Sequence, residues 1–227
     1  MTSPLRIAVL ASGRGSNLQA IMDAVAAGTL DAQVVGVFSD RRRAPVLERA
    51  KGAGIPAVPV QPARFADRQL YEAELFGQID ATRPDLIVCA GYMRLLGAAA
   101  VDARAGRIIN IHPSLLPAYK GLHTHQQALD AGACEHGASV HYVTAELDGG
   151  PVIAQACVPV EPDDDAETLA ARVLQREHPL LVATLRLFAA RRIELKETSI
   201  LIDKRPLDAP MKLDSDNNLH PQPPTTT

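Results

Sequence analysis

The sequence has few cysteines, little net charge and no long apolar run, and each of these absences excludes a class of protein. Only three cysteines, at positions 89, 134 and 157, occur among 227 residues. An odd, scattered set of cysteines does not fit a disulfide framework and favours a reducing compartment. The formal net charge of −3 gives no reason to expect a surface for nucleic acid.

Membrane and targeting segments are also missing from the sequence. No apolar run reaches the ~18 residues that a membrane-spanning helix needs, and the residues before Arg14 lack the apolar core of a signal peptide. With the cysteine usage, this predicts a soluble cytoplasmic protein that binds no membrane. A hydrophobic content of 47% is that of an ordinary globular protein, and the length allows one substantial α/β domain or two small ones.

Strand-like and helix-like segments alternate along the first half of the chain. "LRIAVLA" (5–11) is almost continuously apolar, as in a strand buried on both faces, and a Gly-containing turn leads from it into a helical pattern. Further strands are predicted at 33–39, 57–60, 85–91 and 106–112, with helices at 44–54 and 67–82 between them. This alternation favours an α/β fold with a Rossmann-like, mostly parallel twisted sheet and helices on both faces.

The second half has a different pattern. Residues 138–144 and 151–160 alternate polar and apolar side chains, which predicts C-terminal antiparallel strands joined by the turn "AELDGG". The composition from about Ala166 to Ala190 predicts a long C-terminal helix.

The domain prediction follows from these two patterns. We expect a single domain over residues 1–205, made of a phosphate-binding, Rossmann-like half (1–105) and a catalytic half (106–205). Residues 206–227 include a polar, Pro-rich stretch without an apolar period, so we expect a disordered tail there.

The turn "ASGRGSNLQ" (11–19) is the first candidate site. Glycines between a first strand and a first helix allow a tight turn and aim free N–H groups at an anion near the helix N-terminus. Gly15, Ser16 and Asn17 occupy the positions that would bind a phosphate monoester. A purely structural turn is the alternative.

A dinucleotide-binding dehydrogenase also remains open. Gly13 and Gly15 match the first two glycines of the dinucleotide fingerprint, but Leu18 stands at the third position. Asp40, after the second strand, could still bind a ribose.

The stretch "NIHPSLLPAYKG" (110–121) is the second candidate site. Alternation along a strand puts Asn110 and His112 on one side, and two prolines then stiffen the chain. An imidazole can act as general acid or base, a carboxylate such as Asp148 can orient it, and an amide can donate to an oxyanion. Together they suit addition of a nucleophile to a carbonyl carbon, although a strand end and a hairpin turn would look the same.

Two further clusters are weaker candidates. His123, His125, Cys134, His136 and His141 form no recognised zinc spacing, so we expect no metal. The basic run at 41–43 is typical of a solvated loop, and it could also meet an anionic substrate.

In combination, the motifs resemble the phosphoribosylglycinamide formyltransferases, a branch of the folate-dependent formyltransferase superfamily. The resemblance covers about residues 5–190. It rests on "LASGRGSNLQAI", "CAGYMRLL", "NIHPSLLPAYKGLHTHQQAL", "GASVHYVTAELDGGPVIAQ" and "REH", in that order. "GSNLQAI" and "GLHTHQQAL" narrow it to the glycinamide ribonucleotide branch.

The resemblance implies roles for individual residues. Asn110, His112 and Asp148 would be catalytic, Gly15, Ser16 and Asn17 would bind the ribose phosphate, and Glu177 would contact the glycinamide end. It makes 106–205 the folate-binding half, places a folate cleft between the two halves and implies a cis bond at Pro117. The folate-binding residues would be Arg68, Met93, Arg94, Leu95, Leu96, Thr144, Ala145, Glu146 and Leu147. Ala145 departs from relatives that carry a charged residue there.

The implied reaction is formyl transfer from 10-formyltetrahydrofolate, as cosubstrate, to the amino group of glycinamide ribonucleotide, without a metal. The partners would be these small molecules only, for a monomer or homodimer. A 10-formyltetrahydrofolate hydrolase is one alternative, although its family has an added N-terminal domain for which this sequence offers no room. A tRNA formyltransferase would need an added basic domain, and a nucleotide-binding module would not need all three catalytic residues.

Overall fold

The computed structural model describes residues 3–222. The chain divides into two compact units, one ending at Asn110 and the other beginning at Ile111. That division lies within the fifth strand rather than at the predicted position after residue 105. That the two halves act as a single domain stays a prediction.

The first unit is built on a parallel sheet, as the alternating pattern predicts. Its strands are β1 (Leu5–Leu10), β2 (Ala32–Ser39), β3 (Ala57–Pro59), β4 (Leu86–Cys89) and the first residues of β5 (Ile108–His112). They are arranged in the order β3-β2-β1-β4-β5, and every neighbouring pair is parallel. Strand β1 is buried along almost its whole length, which explains its continuous apolar run.

Helices connect these strands, and local sequence signals set where they begin. They are α1 (Ser16–Ala26), α2 (Pro45–Gly52), α3 (Arg68–Ala81) and α4 (Ala98–Asp102), with one 3₁₀ turn at Pro62–Arg64. Pro45 stands in the first turn of α2, where its missing N–H costs nothing. The carboxylate of Asp67 caps α3 by accepting from the backbone N–H of Leu70 at 2.8 Å.

The second unit contains the predicted antiparallel pair and the predicted long helix. Strands β6 (Glu135–Tyr142) and β7 (Val152–Pro159) are antiparallel, and α6 (Ala166–Ala189) packs against both of them. Asp165 and Thr168 form a capping box at the start of α6. A short helix, α5 (Thr124–Asp130), precedes β6.

The predicted disordered tail is wrong for the part of it that the structure describes. After the hairpin strands β8 (Ile193–Lys196) and β9 (Ser199–Ile202), the chain forms β10 (Arg205–Pro206), β11 (Met211–Leu213) and β12 (Leu219–His220). Strand β11 pairs in parallel with β7, and this buries the side chains of Met211 and Leu213. The polar residues between β11 and β12 form a turn in which the Asp214 carboxylate accepts from two backbone N–H groups. Residues 223–227 of the predicted tail lie outside the described residues.

Within residues 3–222, no helix combines the length and the apolar character needed to span a membrane.

Candidate active site

The predicted phosphate loop has the backbone geometry that an anion site needs. Gly15 has φ +76°, and a Cβ at this position would collide with the side chain of Val46, so only glycine fits. Helix α1 begins at the next residue, and no side chain caps it. The N-terminus of α1, the end of a helix that favours an anion, therefore lies directly after this turn.

Asp40 already has a protein partner at this end of the sheet. The hydroxyl of Ser12 donates to Asp40 Oδ1 at 2.6 Å and accepts from the backbone N–H of Met93 at 3.0 Å. Leu18, which replaces the third fingerprint glycine, is fully buried in the core. Neither feature supports the dinucleotide alternative.

His112 lies at the end of β5, and a hydrogen bond defines which of its ring nitrogens carries a hydrogen. Its Nε2 lies 3.0 Å from the carbonyl oxygen of Tyr119. Because a carbonyl only accepts, Nε2 carries a hydrogen and donates it. The other ring nitrogen, Nδ1, lies 3.6 Å from Asp148 Oδ2. The sequence predicted the His112–Asp148 pair but gave no sign that Tyr119 would supply the carbonyl.

Asp148 lies between two imidazoles, of which sequence reasoning found only one. Its side chain is buried, its Oδ2 accepts from the N–H of Gly121 at 2.9 Å, and its Oδ1 lies 3.6 Å from His141 Nε2. His141 Nδ1 donates to the carbonyl of Tyr142 at 2.9 Å. Alternation along β6 could have flagged His141 as an inward-facing polar residue next to the hairpin.

The two rings therefore meet the carboxylate in the same way. Each donates from its outer nitrogen to a carbonyl, so the nitrogen that faces Asp148 is a lone pair unless that ring is protonated. A carboxylate facing a lone pair is unfavourable, whereas a carboxylate facing an N–H is stabilised. Burial lowers the pKa of His141 and favours its neutral form, although Tyr142 and Asp148 oppose the shift.

Two other histidines of the cluster form a separate pair. His125 Nδ1 lies 3.1 Å from His136 Nε2, which joins α5 to β6. Burial, followed by the charge of His125, lowers the pKa of His136 to about 4, so this imidazole is neutral at pH 7. Among residues 3–222, no group of three or more histidine, cysteine or acidic side chains is arranged to bind a metal ion.

The predicted folate-binding residues lie at three places. Arg68 and residues 93–96 belong to the first unit, and the loop of residues 144–147 belongs to the second. Met93 and Leu95 are exposed in the segment after β4, and Arg94 lies over the ring of Tyr71 at 5.6 Å. Leu96, in the same segment, is half-buried. Arg68 donates to Glu72 and to the carbonyl of Leu95, so it contacts the segment itself.

The loop from Thr144 to Leu147 joins β6 to β7 and ends at Asp148. The hydroxyl of Thr144 donates to the carbonyl of Glu146 at 3.4 Å, and Lys120 pairs with the Glu146 carboxylate at 2.8 Å. Ala145 is exposed. This loop is thus tied to residues 119–121 both by an ion pair and by the Asp148 contact.

Three predicted features remain, namely Glu177, Asn110 and the cis bond at Pro117. Glu177 is buried on α6, and Asn110 lies opposite Cys89 in the pairing of β4 with β5. The peptide bond between Leu116 and Pro117 is cis, as the resemblance implied. The second unit brings His112, Asp148 and the 144–147 loop together, whereas the first unit holds the phosphate loop, Arg68 and residues 93–96.

Comparison with known proteins gives this α/β fold a family. Residues 5–185 match the formyl transferase family, and the chain belongs to that family. The phosphoribosylglycinamide formyltransferase of Escherichia coli (strain K12) is 48% identical over 199 residues, which cover 88% of this chain and 94% of the relative. The sequence resemblance to the phosphoribosylglycinamide formyltransferases is therefore confirmed, and the chain is a one-carbon group transferase.

Two further comparisons agree with this assignment. The solved structure of the phosphoribosylglycinamide formyltransferase from Coxiella burnetii, in complex with CHES, has a TM-score of 0.87 and 48% identity, covering 90% of this chain and 96% of that one. The trifunctional purine biosynthetic protein adenosine-3 of Drosophila melanogaster is 49% identical over 175 residues, which cover 76% of this chain. This chain spans only 13% of that longer relative.

Proposed function

We propose that the protein transfers the formyl group of 10-formyltetrahydrofolate to the amino group of N1-(5-phosphoribosyl)glycinamide, a step of de novo purine biosynthesis. The observation that carries this proposal is the buried Asp148 carboxylate, 3.6 Å from Nδ1 of His112 in a chain of this family. His112 is oriented from its other side by the Tyr119 carbonyl. Such a pair suits proton transfer at a carbonyl carbon.

The reaction proceeds by direct attack. The free amine of the nucleotide adds to the formyl carbon, and the carbonyl oxygen of the formyl group becomes an oxyanion in a tetrahedral intermediate. Asn110 and protonated His112 stabilise that oxyanion, and the loss of one oxyanion donor typically costs about 2.7–4 kcal/mol. Collapse of the intermediate breaks the bond to the folate nitrogen, which takes up the proton that the amine loses. No metal and no covalent enzyme intermediate take part.

The surroundings of the Asp148 carboxylate support the role of His112. Two imidazoles face Asp148 with nitrogens that are lone pairs when neutral, and burial favours neutral His141. Asp148 can therefore stabilise the positive charge that His112 takes on when its Nδ1 accepts a proton during the reaction. A protonated His112 carries the positive charge that stabilises an oxyanion.

Substrate contacts follow the family pattern. The N-terminus of α1, with Gly15, Ser16 and Asn17, holds the ribose phosphate, and Glu177 contacts the glycinamide end. Arg68, residues 93–96 and residues 144–147 bind the folate. Holding both substrates in line offsets on the order of 7–11 kcal/mol of the barrier.

The setting of the enzyme is proposed on the same basis. We expect it to work in the cytoplasm on these two small molecules, as a monomer or homodimer, without nucleic acid or membrane partners. Three scattered cysteines and the purine-pathway relatives support this setting.

An absorbance assay of folate deformylation, run with and without glycinamide ribonucleotide, tests the proposal. Turnover that requires the nucleotide is the expected result. Turnover without the nucleotide would instead indicate a 10-formyltetrahydrofolate hydrolase. No turnover under either condition would indicate a non-catalytic nucleotide-binding module.

A further inference from the structure

The stretch Gly91–Gly97, hereafter the 91–97 segment, combines exposure with tight anchoring. It connects β4 to α4 and contains no helix or strand. Met93 and Leu95 are 57% and 60% exposed, so two large apolar residues of this short segment face solvent. The segment follows the carboxyl end of a parallel strand, where ligands of α/β proteins bind.

Its backbone is fixed from the protein side near its beginning. The hydroxyl of Ser12 accepts from the N–H of Met93 at 3.0 Å. The hydroxyls of Tyr92 and Tyr71 are 2.5 Å apart, in a hydrogen bond between two buried or half-buried side chains. Arg94 then covers the ring of Tyr71.

Near its end, the 91–97 segment is fixed by one acidic residue of α3. Glu72 Oε1 accepts from the backbone N–H of Gly97 at 2.8 Å and from Arg68 Nε at 2.7 Å. Arg68 Nη2 in turn donates to the carbonyl of Leu95 at 2.7 Å. Glu72 therefore holds the segment twice, once directly and once through Arg68.

The fit around Glu72 is close. Glu72 is only 8% exposed, and a Cβ on Gly97 would collide with its Oε2. The backbone of Gly97, at φ −71°, suits any residue, so space is the only reason for glycine there. A buried carboxylate that accepts from the backbone of a segment, and from a side chain that also binds that segment, defines the position of the segment.

We propose that Glu72 is a positioning residue for the reduced folate, because it presets the 91–97 segment against which the folate binds. The inference rests on the proposed function. Arg68 then has two roles. It would bind the folate, and two of its nitrogens hold the segment by donating to Glu72 and to the carbonyl of Leu95.

The test compares Glu72→Gln, Glu72→Ala and Gly97→Ala with the wild-type enzyme. Glu72→Ala removes both acceptor contacts, Gly97→Ala displaces the carboxylate, and Glu72→Gln keeps an acceptor while it loses the charge. We expect the KM for 10-formyltetrahydrofolate to rise about tenfold in Glu72→Ala and Gly97→Ala and less in Glu72→Gln. The kcat and the KM for the nucleotide should stay within about twofold, since neither Glu72 nor Gly97 contacts the reacting atoms.

Glu74→Gln is the matched control, because Glu74 lies exposed on the same helix and contacts only Gln78 among its described hydrogen bonds. An unchanged folate KM in all three variants would overturn the proposal. So would equal rises in the KM values of both substrates with a lower melting temperature, because that result indicates a purely structural role. If Glu72→Ala does not fold, Glu72→Gln and Gly97→Ala decide alone.

Calorimetric binding of tetrahydrofolate separates this proposal from the proposed function. If the wild-type enzyme binds tetrahydrofolate but transfers no formyl group, the proposed function is wrong, and the affinities of the variants still decide the role of Glu72. Affinity about tenfold weaker than wild type supports it, and equal affinity contradicts it. A wild-type enzyme that does not bind tetrahydrofolate overturns both.

Discussion

Two groups of buried or half-buried histidines lie in the second unit, and a carboxylate distinguishes them. His112 and His141 face Asp148 at 3.6 Å each. His125 and His136 face each other at 3.1 Å, and burial lowers the pKa of both. The Asp148 carboxylate can stabilise a positive charge on the first group, whereas burial favours the neutral form of both rings of the second. The difference in neighbours suits the first group to the proposed proton transfer and the second to joining α5 to β6.

Asp148→Asn should give the largest effect on activity. The amide keeps the shape but cannot stabilise an imidazolium, so we expect kcat to fall by about 10²–10³. Nucleotide affinity and the melting temperature should change little. Steady-state kinetics and calorimetric titration with the nucleotide measure this, and wild-type turnover would contradict the role of Asp148.

His136→Ala should have its largest effect on stability instead. The substitution leaves a cavity under Tyr119 and removes the partner of His125, so the free energy of unfolding should fall by about 2–4 kcal/mol. Denaturant unfolding followed by circular dichroism measures it. His220→Ala is the control, since its exposed ion pair with Asp214 contributes less than ~1 kcal/mol. A loss of stability no greater than in that control would refute the packing role of His136.

His141→Asn separates the two imidazoles of the first group. Its ring orients Asp148 from the side opposite His112, so its loss should lower kcat about tenfold. The double variant with Asp148→Asn should be no slower than Asp148→Asn alone, because both act through one carboxylate. Additive losses in a double-mutant cycle would show that His141 acts independently.

Acid should destabilise the protein through the second group. The pKa of His136 is about 4 in the folded state, below its unfolded value of about 6.5. Below pH 6.5 the unfolded state therefore binds more protons, and stability falls as the pH drops from about 6.5 to about 4, by at most ~1.4 kcal/mol per pH unit from this residue. Urea unfolding at pH 7 and pH 5 should show a smaller difference in His136→Ala. His125, His141 and His178 shift in the same direction. If the stability difference between pH 7 and pH 5 is the same in His136→Ala as in the wild type, the acid sensitivity comes from those three residues.

Much of the fold and part of the candidate site could be predicted from local sequence patterns. The parallel strands, the Gly15 turn, the antiparallel pair and the long helix follow from apolar periodicity and glycine placement, which depend on neighbouring residues. The residues Asn110, His112 and Asp148 came from motifs whose order is characteristic of the family.

The features that the sequence did not reveal depend on distant partners. Strand β11 forms because β7 offers it an edge, and the local composition around Met211 contains no sign of that edge. The Tyr119 carbonyl belongs to the backbone, so no residue type could indicate its hydrogen bond to His112. Glu72 looks like any charged helix residue until Gly97 is brought against it.

Transfer of a ¹³C-labelled formyl group tests the central claim most directly. Labelled 10-formyltetrahydrofolate is mixed with glycinamide ribonucleotide and either the wild-type enzyme or Asp148→Asn, and the label is followed by NMR. The account predicts that the wild-type enzyme moves the label into a formamide on the nucleotide and that Asp148→Asn does so at least a hundredfold more slowly. Label released as free formate, or equal rates for the two enzymes, would contradict it.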